Sequence, residues 1–441
     1  MARLIIGHTT HSSTKIWVRG DRNFPHAFVT LTDPNKKNTQ KVSLEERHFY
    51  TGVVEFSSLK PSTNYNVSVT FGEESTDTEI EQVTYGDCTG TLETFPSPTS
   101  NETVRFLLGS CNLHSLGILS NPDKAFQQIL ELSKTHKAQF MMHCGDQIYY
   151  DIPNYRKAPD IQEYRDKYID AWGHSRRTRK FLTQLPQYMI LDDHEITNDF
   201  SNDMDSARTG STPKSFRDAS LKVYREFQHI RNPQVYGNQA LYYPFSVGKN
   251  QFFVLDTRSE RYCSSGEMIG TEQLKDFLAW LKKHKDAMKF VVTSVPFVFH
   301  VKHGDDKWCG SQFAKQREAI LQFILQHDIT GITFLTGDMH CSGHAQLEVR
   351  QNNKAITLHE IMSSPINQIG KSSINDFTQD TGWSKSKDTP TLTYRSSFKR
   401  SEFFDGHSNV TLVTVDGRNI SFDIHRTKRK KKALPRKKFS V

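Results

Sequence analysis

Over the first 95 residues apolar and polar positions alternate in short runs: KIWV, HAFVTLTD, TGVVEF, YNVSVTF and EQVTYGD. Turn residues separate the runs and none has helical spacing. The pattern predicts a small fibronectin/immunoglobulin-like β-sandwich. Tyr65 follows LKPST at the head of an alternating strand, where a tyrosine-corner hydroxyl bonds back to the upstream turn. The Pro/Ser/Thr-rich stretch 95–103 marks a boundary, giving a first domain over 1–97 and a second over 98–426. Beyond it the period changes. VRFLLGS, QFMMHCGD, QYMILDD, QFFVLDTR, KFVVTSVPF and GITFLTGD are apolar runs of strand length, while PDKAFQQILELSKTH, TEQLKDFLAWLKKH and QREAILQFILQHD carry apolar residues at helical spacing. Strands alternating with helices predict an α/β domain with mainly parallel pairing. Residues 344–362 and 408–425 return to strand texture and are expected to extend a second sheet. The polar stretch 370–400 reads as a long surface loop.

Composition narrows this little. At 441 residues, 36% hydrophobic and 24% charged, the chain is globular and large enough for two domains. The start lacks a leader-like n- and h-region and no long apolar run follows, so an intracellular chain, cytoplasmic or nuclear, is expected. Six scattered cysteines form neither a disulfide framework nor a zinc finger. The net charge of +8 suggests nucleic acid until it is located: 426–438 holds nine Lys or Arg and no acid, which leaves the rest at −1. The excess is therefore read as a basic C-terminal tail over 427–441. It is either a solvated end, an import signal, or a contact for nucleic acid or an anionic membrane.

The chemistry sits in the loops that follow the strand-like runs. GDQIYYD puts Asp146 at a strand end with Tyr149 three residues on, and DDHEITND gathers Asp192, Asp193, His194, Asn198 and Asp199 directly after apolar YMIL. So many acids beside a desolvated strand end repel one another unless cations neutralise them. GDMHCSGH offers Asp338 and His340, with His344 further along the same strand as either a core or a surface residue. Cys111 in FLLGSCN reads alone as a small buried residue. Its place after a strand in this company makes thiolate ligation the competing reading. Cys144 and Cys341 are read as structural. Arg258, in LDTRSER, either clamps phosphate oxygens or pairs with Asp256 or another carboxylate. Hard-cation ligands beyond the tips of parallel strands suit a multinuclear hydrolase.

Taken in order after a fibronectin-like domain, GSC, GDxxY, DDHE, LDTR, TSVPF and TGDxH resemble the PhoD-like alkaline phosphatases, a branch of the calcineurin-like metallophosphatases, over nearly the whole chain. The resemblance implies a four-layer αββα catalytic domain. It also implies iron(III) held by Cys111, Asp146, Tyr149 and one of Asp192 and Asp193, and one or more calcium ions. These would share Asp146 and that same Asp with Asp199 or Asn198 and Asp338 or His340; other divalent metals are an alternative. Aligning the motif within the family favours Asp192 as the bridge, and matching DDHE to the GNHE of ordinary metallophosphatases favours Asp193. The first strand carries Ser-Cys-Asn in place of the DxH of those relatives, which points to the PhoD-like branch. The twin-arginine leader of exported bacterial members is missing and the basic tail has no counterpart in the motifs. The expected activity is phosphomonoester or phosphodiester hydrolysis by metal-activated water, with His194 and Arg258 acting on the phosphoryl oxygens or leaving group. Competing readings are a nuclease or phospholipase-like diesterase recruited by the basic tail, and a catalytically silent binding protein.

Overall fold

The computed structural model describes residues 3–72, 88–114, 122–155, 157–173, 175–205, 210–368, 372–405, 407–428 and 433–441. The predicted run EQVTYGD lies outside them. The first seven strands are β1 (Leu4–Thr9), β2 (Ser13–Arg19), β3 (His26–Thr32), β4 (Lys37–Ser43), β5 (Thr51–Ser57), β6 (Asn64–Gly72) and β7 (Thr89–Glu93). They form a three-stranded sheet, β1-β2-β5, and a four-stranded sheet, β4-β3-β6-β7. Leu4, Ile6, Ile16 and Val18 of one sheet meet Ala27, Val29, Val67 and Val69 of the other, the alternation a half-buried strand requires. The Tyr65 hydroxyl accepts from the Lys60 amide at 3.0 Å, the bond a tyrosine corner makes. Ile5 and Trp17 face the opposite way, into a cluster with Tyr168, Trp172 and Phe227. The indole Nε1 of Trp17 donates to the Glu226 carbonyl at 2.8 Å. The smaller sheet is thus covered on both faces.

The rest is mixed α/β. In chain order come β8 (Val104–Gly109), α1 (Pro122–His136), β9 (Phe140–Cys144), α2 (Ile161–Gly173), α3 (Arg176–Leu182), β10 (Gln187–Ile190), α4 (Pro213–Phe227), β11 (Tyr243–Val247) and β12 (Asn250–Val254). There follow α5 (Thr271–Lys283), β13 (Lys289–Val292), α6 (Ala314–Gln326), β14 (Ile332–Thr336), β15 (Cys341–Gln351), β16 (Lys354–Met362), β17 (Ser384–Lys385), β18 (Leu392–Asp405), β19 (Asn409–Asp416), β20 (Asn419–Arg426) and β21 (Lys437–Ser440). Two sheets result, ordered β10-β9-β8-β19-β20-β21 and β11-β12-β13-β14-β16-β15-β18-β17. Strands β8, β9 and β10 run parallel, as do β12, β13, β14 and β16. Phe106 and Phe140 of the first sheet pack against Phe252 and Phe290 of the second, with Phe106 and Phe290 edge to face at 5.7 Å. On the outer face of the first sheet lie Phe126 and Ile129 of α1 and Phe181 of α3, over Leu107 and Met141. Phe277 and Trp280 of α5 and Ile320 and Leu321 of α6 cover Phe253, Val291 and Phe334 of the second.

Three expectations change. Residues 341–362 extend the second sheet, but 409–426 joins the first, because β19 pairs antiparallel with β8 and turns Val413 and Val415 into the inter-sheet core. The polar stretch 370–400 is not all loop: β18 spans fourteen residues and pairs with β15, its polar composition masking Leu392, Phe398 and Phe403 on the buried side. Nor does the basic run end free. Its last residues form β21 against β20, and Phe439 stacks on His344 and His359 with centroids 4.3 and 4.4 Å apart. No helix among the described residues is long and apolar enough to cross a membrane.

Candidate metal centre

Four loops meet beyond the strand tips. Cys111 follows β8, Asp146 follows β9, Asp192 and Asp193 follow β10, and Asp338 and His340 follow β14. Cys111, Asp146, Asp199, Asp338 and His340 all adopt left-handed backbone, with φ of 57, 56, 55, 62 and 50°. Such conformations cost energy in non-glycine residues and gather at sites where a side chain must be aimed. Gly145 is required: its φ is 99°, and a Cβ there would lie 2.4 Å from the Asp192 Cβ. Glu195 ties two loops together, accepting from the backbone amides of Asp192 at 2.8 Å, Asp146 at 2.9 Å and Gln147 at 2.6 Å.

The side chains converge. Cys111 Sγ lies 3.3 Å and Tyr149 Oη 3.2 Å from the same oxygen, Asp146 Oδ2. Cys111, Asp146 and His340 offer ligand atoms within 4.8 Å of one another. Asp146, Asp193 and His194 do so too, as do Asp192, Asp193 and Asp338. Asp146 and Asp193 each belong to two of these groups. Buried Asp146 Oδ1 and Asp192 Oδ2 have no hydrogen-bond partner, an arrangement that is costly unless a cation meets it. Burial and neighbouring acids push the Asp146 carboxyl, the Cys111 thiol and the Tyr149 phenol upward; a bound cation reverses that logic. Burial lowers His340 to about 4, so its ring is neutral with a lone pair to offer. The donor set fits metal ions.

Other predicted residues stand around this cluster. His194 Nδ1 is 2.7 Å from Asp151 Oδ1, and its ring packs on Tyr149 at 4.2 Å. Burial opposes charge on His194, but Asp193 and Asp146 raise its pKa well above the ordinary value. Asp199 lies in none of the three groups and donates its backbone amide to Asp193 Oδ2 at 2.7 Å; the Asn198 amide does the same to Asp151 Oδ2 at 2.8 Å. Arg258 is fully buried, with Nε on Asp192 Oδ1 and Nη2 at 3.9 Å from Asp193 and 3.6 Å from Asp306. Its carboxylate partner is Asp192. From Arg258, Asp256 accepts the backbone amide, and it also accepts the amide and hydroxyl of Ser259. His344 is structural, held between Glu402 and His359, and Cys144 points to the Leu335 carbonyl.

Sequence reasoning missed Glu195, Asp151, Asp306 and Lys307. The first two stand inside DDHE and GDQIYYD, so their motif membership was a signal. Asp306 and Lys307 lie in HGDDKWCG, which no apolar strand leads into; Lys307 Nζ nevertheless pairs with Asp306 at 2.6 Å and with Asp338.

The sequence model of the PhoD-like phosphatases matches residues 106–414. The chain belongs to the PhoD-like phosphatase family. Alkaline phosphatase D of Bacillus subtilis (strain 168) is 23% identical over 303 residues, 59% of this chain and 50% of that protein, so this PhoD-like chain matches about half of that relative's length. A solved structure of PhoD superposes with a TM-score of 0.74 at 18% identity, covering 100% of this chain and 90% of its own, and shares the fold.

Proposed function

We propose that this PhoD-like protein is a metal-dependent hydrolase of phosphate esters with a multinuclear centre of iron/calcium type. The observation that carries the reading is the convergence of Cys111, Tyr149, Asp193 and His340 around Asp146, whose buried Oδ1 has no protein partner. The order of α1 and α3, first sheet, second sheet, α5 and α6 supports a four-layer metallophosphatase domain. Thiolate and phenolate suit a trivalent iron held by Cys111, Tyr149, Asp146 and Asp193; oxygen donors suit calcium. Asp193 is the better bridge, because it belongs to two of the three ligand groups and Asp192 to one.

Bound cations would supply an acidified water and neutralise phosphoryl oxygens. The side chains do the rest. His194, aligned by Asp151, is placed to donate a proton to the leaving oxygen. Arg258 fixes the orientation of Asp192, and its Nη2 faces Asp193 at 3.9 Å and Asp306 at 3.6 Å. Recognition of the phosphate alone admits both monoesters and diesters. A diesterase steered by a free basic arm is less well supported, since Lys437–Ser440 is a strand.

Purified protein is expected to contain iron and calcium and to show a visible thiolate or phenolate charge-transfer band. Cys111→Ala and Tyr149→Phe should bleach or shift it. Colourless protein that hydrolyses esters without iron would reject the iron assignment.

A further inference from the structure

The three ligand groups are not equivalent in charge. Around Asp192, Asp193 and Asp338 the protein supplies cations of its own: Arg258 contacts Asp192 and lies 3.9 Å from Asp193, and Lys307 Nζ contacts Asp338. Asp306 links the two, 3.6 Å from Arg258 and 2.6 Å from Lys307. By contrast, no lysine or arginine among the described residues makes an ion pair with Asp146, the acid common to the other two groups.

Lys307 is built into this place. Its backbone amide donates to the Gly304 carbonyl at 3.0 Å and its carbonyl accepts from Gly310 at 2.9 Å. A Cβ on Gly304 would lie 2.9 Å from the Val301 Cβ, and one on Gly310 would lie 2.7 Å from the Asp305 carbonyl oxygen, so the turn is close-packed. Next to it Trp308 is fully buried and donates from Nε1 to Thr293 Oγ1 at 3.2 Å. Lys307 itself is 7% exposed. An ammonium in contact with Asp338 Oδ2 offsets the negative charge a divalent ion would meet there and repels that ion as a like charge.

We infer that Lys307, with Arg258, fills the third cation position, so that this chain holds two metal ions, both on the Asp146 side, and Lys307 is a resident cation in place of a third. The inference rests on the metal-centre reading above. The test is to strip the full chain with chelator, dialyse it to equilibrium against iron(III) and saturating calcium, and count bound ions by elemental analysis. Wild type and Lys307→Arg should hold two per chain. Lys307→Met and Lys307→Gln, checked for folding by circular dichroism, should hold three, with iron unchanged and the added ion calcium. Three ions in wild type, or no gain in the neutral variants that fold, would overturn the resident-cation inference alone. No bound metal in wild type would overturn the metal-centre reading itself.

Discussion

Asp146 receives a thiol and a phenol on one oxygen and leaves the other unmet, whereas Glu195 spends both oxygens on backbone amides. The first is placed as a ligand would be, and the second as a brace. Glu195→Gln removes no ligand but replaces an acceptor by a donor facing N–H groups. Metal affinity should fall about 10–100-fold, the range for supporting partners of ligands, as measured by competition with a chelator. Arg258→Met strands the buried Asp192 charge. In metal-stripped protein it should cost about 3–5 kcal/mol of unfolding free energy in urea, the range for breaking a buried pair by removing one partner. The candidate ligands were legible because motif and strand end coincide; Lys307 was not, because only the fold of a distant loop brings its ammonium to Asp338.

At the scale of elements, strands and helices with an apolar lead-in were readable, including β8, β9, β10 and β14, whose tips carry the candidate ligands. Elements dressed in polar residues were not. The basic run is the clearest case: nine cations hide an alternation in which Lys437 and Phe439 are half-buried while Lys438 and Ser440 are exposed. Phe439 closes the stack on His344 and His359, so deleting residues 433–441 removes a strand and uncovers that pair. Truncated protein should unfold at lower urea than the full chain, with near-normal metal content. A free tail would leave the midpoint unchanged. Tyr65→Phe should cost about 1 kcal/mol, the usual net worth of one hydrogen bond, by the same measurement.

For the whole molecule, the sandwich and the α/β part share a core through Trp17, Trp172 and Phe227. From there Gln228 reaches Glu195 at 3.2 Å, so the domain interface is one residue removed from the brace beneath Asp146. Stability also carries a pH signature. Burial lowers His143 and His229 to about 4 and His359 to about 3, all below the ordinary 6.5. The unfolded chain therefore binds more protons than the folded one between these limits. Their contribution is complete above pH 6.5 and is lost as pH falls, by about 1.4 kcal/mol per unit for each histidine. Between pH 7 and 5 the change in urea midpoint should be less unfavourable in His143→Gln than in wild type.

Hydrolysis is expected to depend on metal held at Asp146. The direct measurement is the rate of hydrolysis of a chromogenic phosphate monoester by the full chain before chelation, after chelation, and after restoring iron(III) and calcium, beside Asp146→Asn. Activity should vanish on chelation and return on restoration in wild type, and should return in no metal for the variant. Undiminished hydrolysis by the stripped protein or by Asp146→Asn, or none by wild type under any metal supplement, would contradict it.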